Sequence, residues 1–269
     1  MVDKLSLTDL NFIIETVATK RRDYDNIREI VWDKPDLLDI MLDDPKLFQR
    51  VMNEEEVFVR ISPYLFFEVL LRQAKRELKA QRYTYEKAAF SATIPVFDAP
   101  QAGELLAQGK VRRYLAGMLA SFTRTHSATV YYRVRGRLYS KRYSDLSVDD
   151  LQDLAQLVDE EYRFPLYRRI GDLCLFLTSI YPEYIEQELR YPFTKARRPA
   201  FFSRKSRDID DYIEEGSRFY RMASEDRRPA QAETNSVLRT LADSFFLARK
   251  PLMHIADRYL CFKKFDLFS

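Results

Sequence analysis

The chain has 269 residues, of which 46% are hydrophobic and 14% aromatic, which is enough for a packed globular core. Six glycines and two cysteines disfavour a loop-rich or disulfide-stapled scaffold and favour helices packed through aromatic side chains. The net charge of +3 is too small for the total charge alone to identify a nucleic-acid-binding protein.

The N-terminus and the cysteines bear on where the protein resides. The first residues contain no apolar leader, and no stretch of the chain approaches the roughly 18 apolar residues of a membrane span. Cys174 and Cys261 lie far apart in the chain. Cys174 is in an apolar helical run, where a thiol behaves as a small hydrophobic group. We therefore expect a reduced cytoplasmic protein that has no contact with a membrane.

The sequence predicts where three helices of the N-terminal part begin. Thr8 is predicted to cap a first helix with apolar residues at helical spacing, and Asp44-Pro45 begins a later one. Ser62-Pro63 starts a helix over 62–80 whose first half is apolar nearly all round. This helix is predicted to be central to the core.

A compact series of elements follows. The pattern predicts a strand over 92–97, restricted by Pro95 to a sheet edge, and helices over 99–107 and 110–122. A hairpin with strands 128–135 and 138–143 is predicted to turn at Gly136-Arg137. This register pairs Val134 with Tyr139, Tyr132 with Lys141 and Val130 with Tyr143 on an apolar face, and leaves Tyr131, Arg133, Arg135, Leu138, Ser140 and Arg142 on the other face.

Everything after residue 145 reads as helical. Ser147 begins one helix, 166–180 forms an apolar one, and helical spacing recurs over 209–223 and 237–248. Pro251 is expected to kink or restart the last helix, which runs to about Cys261. We predict a mainly α protein with one small β element, a hairpin or three strands, divided into 1–145 and a helical domain over 146–269.

Charge is distributed unevenly along this chain. Residues 105–144 contain nine Lys or Arg and no Asp or Glu, whereas residues 36–56 are acidic. A second basic run comprises Lys195, Arg197, Arg198, Arg204 and Lys205 and is interleaved with phenylalanines. Such a run either stacks bases or is a solvated loop held to the core by its phenylalanines.

The order helix, strand, helix, helix, strand, turn, strand over residues 60–145 resembles the winged-helix family. The resemblance implies a recognition helix that begins with Lys110, Arg112 and Arg113. It also implies a basic wing formed by Arg133, Arg135, Arg137, Lys141 and Arg142. Lys and Arg side chains would neutralise phosphates there. The alternative is that acidic segments such as 54–56 cover these charges within the fold or in a dimer.

No catalytic or metal-binding motif is recognisable, and no cofactor is predicted. Asp208, Asp211 and Glu215 share a helix face on which carboxylates bind a divalent ion, but acidic residues at a helix start also complement its dipole. His126 and His254 lack a ligand or triad spacing. Residues 171–220 resemble a helical bacterial family of unknown function, in which Gly171 and Gly216 permit close helix packing.

Three hypotheses follow for function. The first is a non-enzymatic nucleic-acid-binding regulator that uses the basic helix and wing. The second is a helical scaffold that binds another protein or self-associates as a dimer. The third is an enzyme whose site carries no recognisable motif.

Overall fold

A computed structural model describes residues 4–18, 24–54, 56–87, 93–124, 127–134, 137–190, 206–261 and 267–268. The protein is mainly helical, which confirms the predicted fold class. Its contacts divide it into a first unit, Met1–Thr123 with Asp257–Ser269, and a second unit, Arg124–Ala256.

Helices dominate both units. The first unit contains α1 Leu7–Val17, α2 Tyr24–Asp33, α3 Pro35–Leu42, α4 Pro45–Asn53, α5 Val57–Arg60, α6 Pro63–Ala80, β1 Thr84–Lys87, β2 Thr93–Val96, α7 Ala99–Ala107 and α8 Gly109–Ser121. The second contains β3 Ser127–Val134, β4 Arg137–Ser144, α9 Val148–Leu157, α10 Arg163–Ile180, α11 Pro182–Arg190, α12 Ile209–Ser224, α13 Ala232–Asp243 and α14 Phe245–Arg258, whose residues 257–258 belong to the first unit. None of the helices in the described ranges has the length and apolar character needed to cross a bilayer.

Local capping explains where the N-terminal helices begin. The Ser62 hydroxyl accepts a hydrogen bond from the Leu65 amide at 3.2 Å, as predicted for α6. The first helix, however, is capped by Ser6 and not by Thr8. The Ser6 hydroxyl accepts a hydrogen bond from the Asp9 amide at 3.1 Å, and the Asp9 carboxylate accepts one from the Ser6 amide at 2.8 Å, so the two residues form a reciprocal capping box.

Helix α6 is the centre of the first unit, as predicted. It packs against α4, α7 and α8, and its residues from Tyr64 to Arg72 are all buried. Phe67 stacks on Phe268 with a ring separation of 5.8 Å, which ties the chain terminus to this core. The predicted break between two helices is present at Gln108, whose backbone is extended.

The strands form two separate antiparallel pairs in the described chain. β2 confirms the strand predicted over 92–97, but its partner is β1, which the sequence pattern did not indicate. The three-stranded alternative that includes the hairpin is therefore not formed among the described residues, where the hairpin strands β3 and β4 pair only with each other.

The hairpin β3–β4 is present with a register different from the predicted one. Val134 pairs with Arg137 and Tyr132 with Tyr139, so each residue of β3 lies opposite a partner two positions earlier than expected. The two residues between the strands are 135–136 and not 136–137. Because the side-chain period of a strand is two, this displacement keeps each position for which a face was predicted on that face. Arg137, which was predicted to lie in the turn, is instead opposite Val134 and shares the face of Lys141 and Tyr143.

The boundary between the units also differs from the prediction. It falls after Thr123 and not near Asp145, so the hairpin belongs to the second unit. The reason is that β4 contacts α9, the amide of Ser144 donates to Asp150 Oδ2 at 3.2 Å, and Tyr143 is buried.

The core of the second unit is the pair α10 and α12, on which α13 also packs. The break after α13 falls at Ser244, and α14 continues through Pro251. Cys174 is buried in this core, and burial raises the pKa of its thiol, so it acts as an unreactive apolar group.

Two glycines permit this close approach, as the sequence suggested. A Cβ at Gly171 would lie 2.4 Å from Cδ1 of Tyr220, and one at Gly216 would lie 2.5 Å from Cζ of Phe245. The Tyr220 hydroxyl donates to Asp172 Oδ1 at 2.8 Å, which fixes the ring against Gly171.

We expect Gly171→Ala to destabilise the protein by about 1–3 kcal/mol, because the added methyl group overpacks a buried contact. Gly117→Ala is the matched control: its Cβ would meet only Lys4 Nζ, at 3.4 Å. Removing that helix-interior glycine should stabilise by about 0.5–1 kcal/mol. Thermal unfolding followed by far-UV circular dichroism measures both, and equal effects of the two substitutions would contradict the packing role of Gly171.

Candidate nucleic-acid interface

The basic start of α8 is only partly accessible. Lys110 is exposed and Arg113 is half-buried, but Arg112 is only 3% exposed. Arg112 donates from Nε to Glu68 Oε1 at 3.0 Å and from Nη1 to the Leu106 carbonyl at 3.1 Å. The prediction that Arg112 contacts nucleic acid is therefore wrong, since its charge is used inside the first unit.

Arg112 belongs to a buried ion cluster, which we define as Asp39, Asp43, Glu68, Arg72 and Arg112. Oε1 of Glu68 also accepts from Nε of Arg72 at 2.9 Å. Arg72 in turn reaches the carboxylates of Asp39 and Asp43. Burial alone would raise the pKa of Asp43, but the charges of Arg72 and the adjacent Lys75 outweigh it and hold that pKa below its ordinary value.

Two carboxylates of the acidic segment 36–56, those of Asp39 and Asp43, thus belong to the cluster that encloses Arg112. The residues responsible differ from the expected ones: Asp39 lies 3.6 Å from Arg112 Nη2, whereas Glu54 pairs with Arg60. The sequence signal for the cluster was Glu68 itself. A carboxylate within an apolar helical run must be paired when it is buried. The hydrophobic pattern of the helix does not indicate which residues are its partners.

The hairpin carries most of the remaining basic positions. We call residues 127–144 the basic ribbon; it contains Arg133, Arg135, Arg137, Lys141 and Arg142 and no acidic residue. Arg135 lies outside the described residues, and the other four are described by their backbone positions in β3 and β4. Lys110, Arg112 and Arg113 are in the first unit and the ribbon is in the second, so the winged-helix arrangement stays a prediction.

The two faces of the basic ribbon differ where side chains are described. Tyr143 is 3% exposed, on the face predicted to pack on the helices. Thr129 is exposed, and its backbone partner is Arg142, on the face predicted to be basic. Arg133 occupies a position on that same face, four residues along β3 from Thr129. The described ends of the ribbon therefore agree with a buried apolar face and an open basic face.

The acidic residues at the start of α12 have structural partners. Asp208 and Asp211 form a reciprocal capping box. Glu215 lies 2.8 Å from Arg207 Nε through Oε2, although that contact is not aligned as a hydrogen bond, and Arg207 Nη2 donates to Asp149 Oδ1 at 2.6 Å. No group of three metal-ligating side chains comes together in the described ranges.

The other predicted positions are less informative. The second basic run, Lys195, Arg197, Arg198, Arg204 and Lys205, lies outside the described residues, as does His126. His254 is half-buried on α14.

A cleft of about 950 Å³ opens in the second unit between the start of α10 and the end of α12. Phe164, Tyr167 and Met222 form its apolar part, and Arg228 pairs with Asp226 at its edge at 2.6 Å. Its lining contains four carboxylates and three arginines but no His, Cys, Ser or Lys. It therefore offers a surface of mixed charge.

Compared with protein-family models, curated proteins and solved structures, the chain gives no match. The likeness of residues 171–220 to a helical bacterial family therefore stays a prediction, and function has to be argued from the geometry.

Proposed function

We propose that the protein binds nucleic acid through the basic face of the ribbon formed by residues 127–144. The observation that carries the proposal is the difference between the two faces: Tyr143 is buried on one, and Thr129, the partner of Arg142, is exposed on the other. An exposed face that carries several positive charges attracts an anionic partner more strongly than a neutral one.

The chemistry of the ribbon matches a phosphate backbone. Five Lys or Arg and no Asp or Glu lie within it, so the ribbon has no acidic residue of its own to neutralise them. Lys and Arg bind phosphates with release of counterions, and a two-stranded β-ribbon fits the major groove of a duplex. The ribbon contains no Asn or Gln to read adenine, so binding is expected to depend weakly on sequence.

Replacing Arg133, Arg135 and Arg142 by alanine tests the proposal. We expect at least tenfold weaker binding to duplex and single-stranded oligonucleotides at low salt, because up to three phosphate contacts are lost. The slope of log K against log salt should become shallower by roughly 2 to 3. Fluorescence anisotropy across a salt series measures both quantities.

The matched control replaces Arg218, Arg227 and Arg239, three exposed arginines of the same unit outside the ribbon. It changes the net charge equally and should retain most of the affinity. Equal losses in the two triple variants would show that only overall charge matters. The absence of any binding by the wild-type protein at low salt would refute the proposal.

A further inference from the structure

The small sheet of the first unit presents aromatic rings to solvent. Tyr83 is 41% exposed, Tyr85 58% and Phe97 71%, and Pro95 beside them is exposed as well. We call these four residues the aromatic platform. Large apolar side chains that lie together on a surface mark an interaction site more often than isolated ones do.

The pairing of β1 with β2 explains how the platform is built. Tyr85 is the backbone partner of Pro95, and continuing the register places Tyr83 opposite Phe97. Residues two positions apart lie on the same face of a strand, so all four share one face. The Tyr83 ring meets Tyr85 edge to face at 5.3 Å and Phe97 at 6.0 Å, which holds the three rings in fixed relative orientations.

The area of the platform limits what can cover it. At roughly 200 Å² per aromatic side chain, the three exposed fractions amount to on the order of 350 Å². A stable protein interface needs about 800 Å² from each partner. The exposed area of the platform alone is therefore too small for a dimer contact. It is large enough to contact a few planar chemical groups.

A basic residue adjoins the aromatic platform in the chain. Arg82 is exposed and directly precedes Tyr83. Asp98, at the end of β2, accepts a hydrogen bond from the Thr84 hydroxyl at 2.5 Å and is half-buried. Aromatic rings next to an arginine are the combination that stacks bases and holds the adjoining phosphates.

We propose that the aromatic platform stacks the bases of single-stranded nucleic acid. The proposal rests on the proposed function for the class of ligand, but it uses different residues, in the other unit. Every base has a π-face, so the platform binds single strands with little dependence on sequence, whereas the paired bases of a duplex are not available to it.

The test uses the full chain with Tyr85→Ala and Phe97→Ala combined, and an oligo(dT) of about 12 nucleotides as the probe. We expect about 5- to 100-fold weaker binding of oligo(dT), with duplex binding unchanged. The conservative pair Tyr85→Phe and Phe97→Tyr keeps the rings and should bind as the wild type does. Ile40→Ala, which removes another exposed apolar side chain of the same unit, is the surface control.

The results separate the two proposals. If the platform variant loses affinity for oligo(dT) only, and the ribbon variant loses affinity for both duplex and oligo(dT), both proposals hold. If the platform variant alone loses binding, the ribbon proposal fails and the platform stands. If the platform variant binds oligo(dT) as tightly as the wild type, the platform proposal is overturned. It is also overturned if the substitutions convert a dimer into a monomer in sedimentation while oligo(dT) binding is unchanged.

Discussion

Glu68→Ala is expected to lower the free energy of unfolding of the first unit by about 3–5 kcal/mol. The substitution removes the carboxylate shared by Arg72 and Arg112, which are 0% and 3% exposed. Each guanidinium then loses its only buried carboxylate partner in the cluster, and the carboxylates that remain, Asp39 and Asp43, are 46% and 36% exposed. Leaving a buried charge uncompensated costs more than the intact pair contributes.

Amide hydrogen exchange of α6 during urea denaturation reports on the first unit. Glu104→Ala is the matched control, because it breaks a 2.8 Å pair with Lys79 in which the two side chains are 69% and 42% exposed. That change should cost less than about 1 kcal/mol. A Glu68 variant as stable as the Glu104 variant would show that the cluster is not energetically linked to the core.

Arg207→Ala is expected to destabilise the second unit by a similar amount, about 3–5 kcal/mol. Arg207 joins Asp149 at the start of α9 to Glu215 in the middle of α12, at 2.6 and 2.8 Å. The Arg207 and Asp149 side chains are almost fully buried. Without the guanidinium, two carboxylates face each other across the contact between the helices.

Arg207→Lys should recover only part of the loss, since an ammonium is a point charge and does not span two carboxylates as a planar guanidinium does. Arg221→Ala serves as the control, because it removes an exposed pair with Asp243 and should cost less than about 1 kcal/mol. Urea denaturation followed by circular dichroism, with amide hydrogen exchange of α12, measures the effects. Equal stability of the Arg207 and Arg221 variants would contradict the prediction.

Most helices were predictable because their signals are local. The Ser62-Pro63 start of α6 acts within one turn, as a cap and a residue preset for the first helical position. The alternation of apolar and polar residues along the hairpin likewise predicted that Tyr143 lies on the buried face. This prediction holds although the observed register differs from the predicted one by two residues. Ser6 and Thr8 are both residues that cap helices, and the reciprocal partner three residues later, Asp9, is what makes Ser6 the cap of α1.

The candidate site was less predictable, because the burial of a charge is decided by distant partners. Arg112 and Arg113 are adjacent and chemically identical, yet Arg112 is buried on Glu68, 44 residues earlier, and Arg113 is half-buried. A count of basic residues treats them alike. The aromatic platform was not predicted for a related reason, since β1 is too short to give a clear pattern and Pro95, which restricts β2 to a sheet edge, does not indicate which strand pairs with it.

The sequence by itself determined the mainly helical fold, the hairpin with its two unlike faces, and the glycines at the contact of α10 with α12, because each depends on backbone preference and periodicity within a few residues. Only the tertiary structure decided that the hairpin joins the second unit, that Arg112 is enclosed by carboxylates, and that Tyr83, Tyr85 and Phe97 meet on one face. These depend on contacts between residues far apart in the chain, whose free energy is set by burial and pairing in three dimensions.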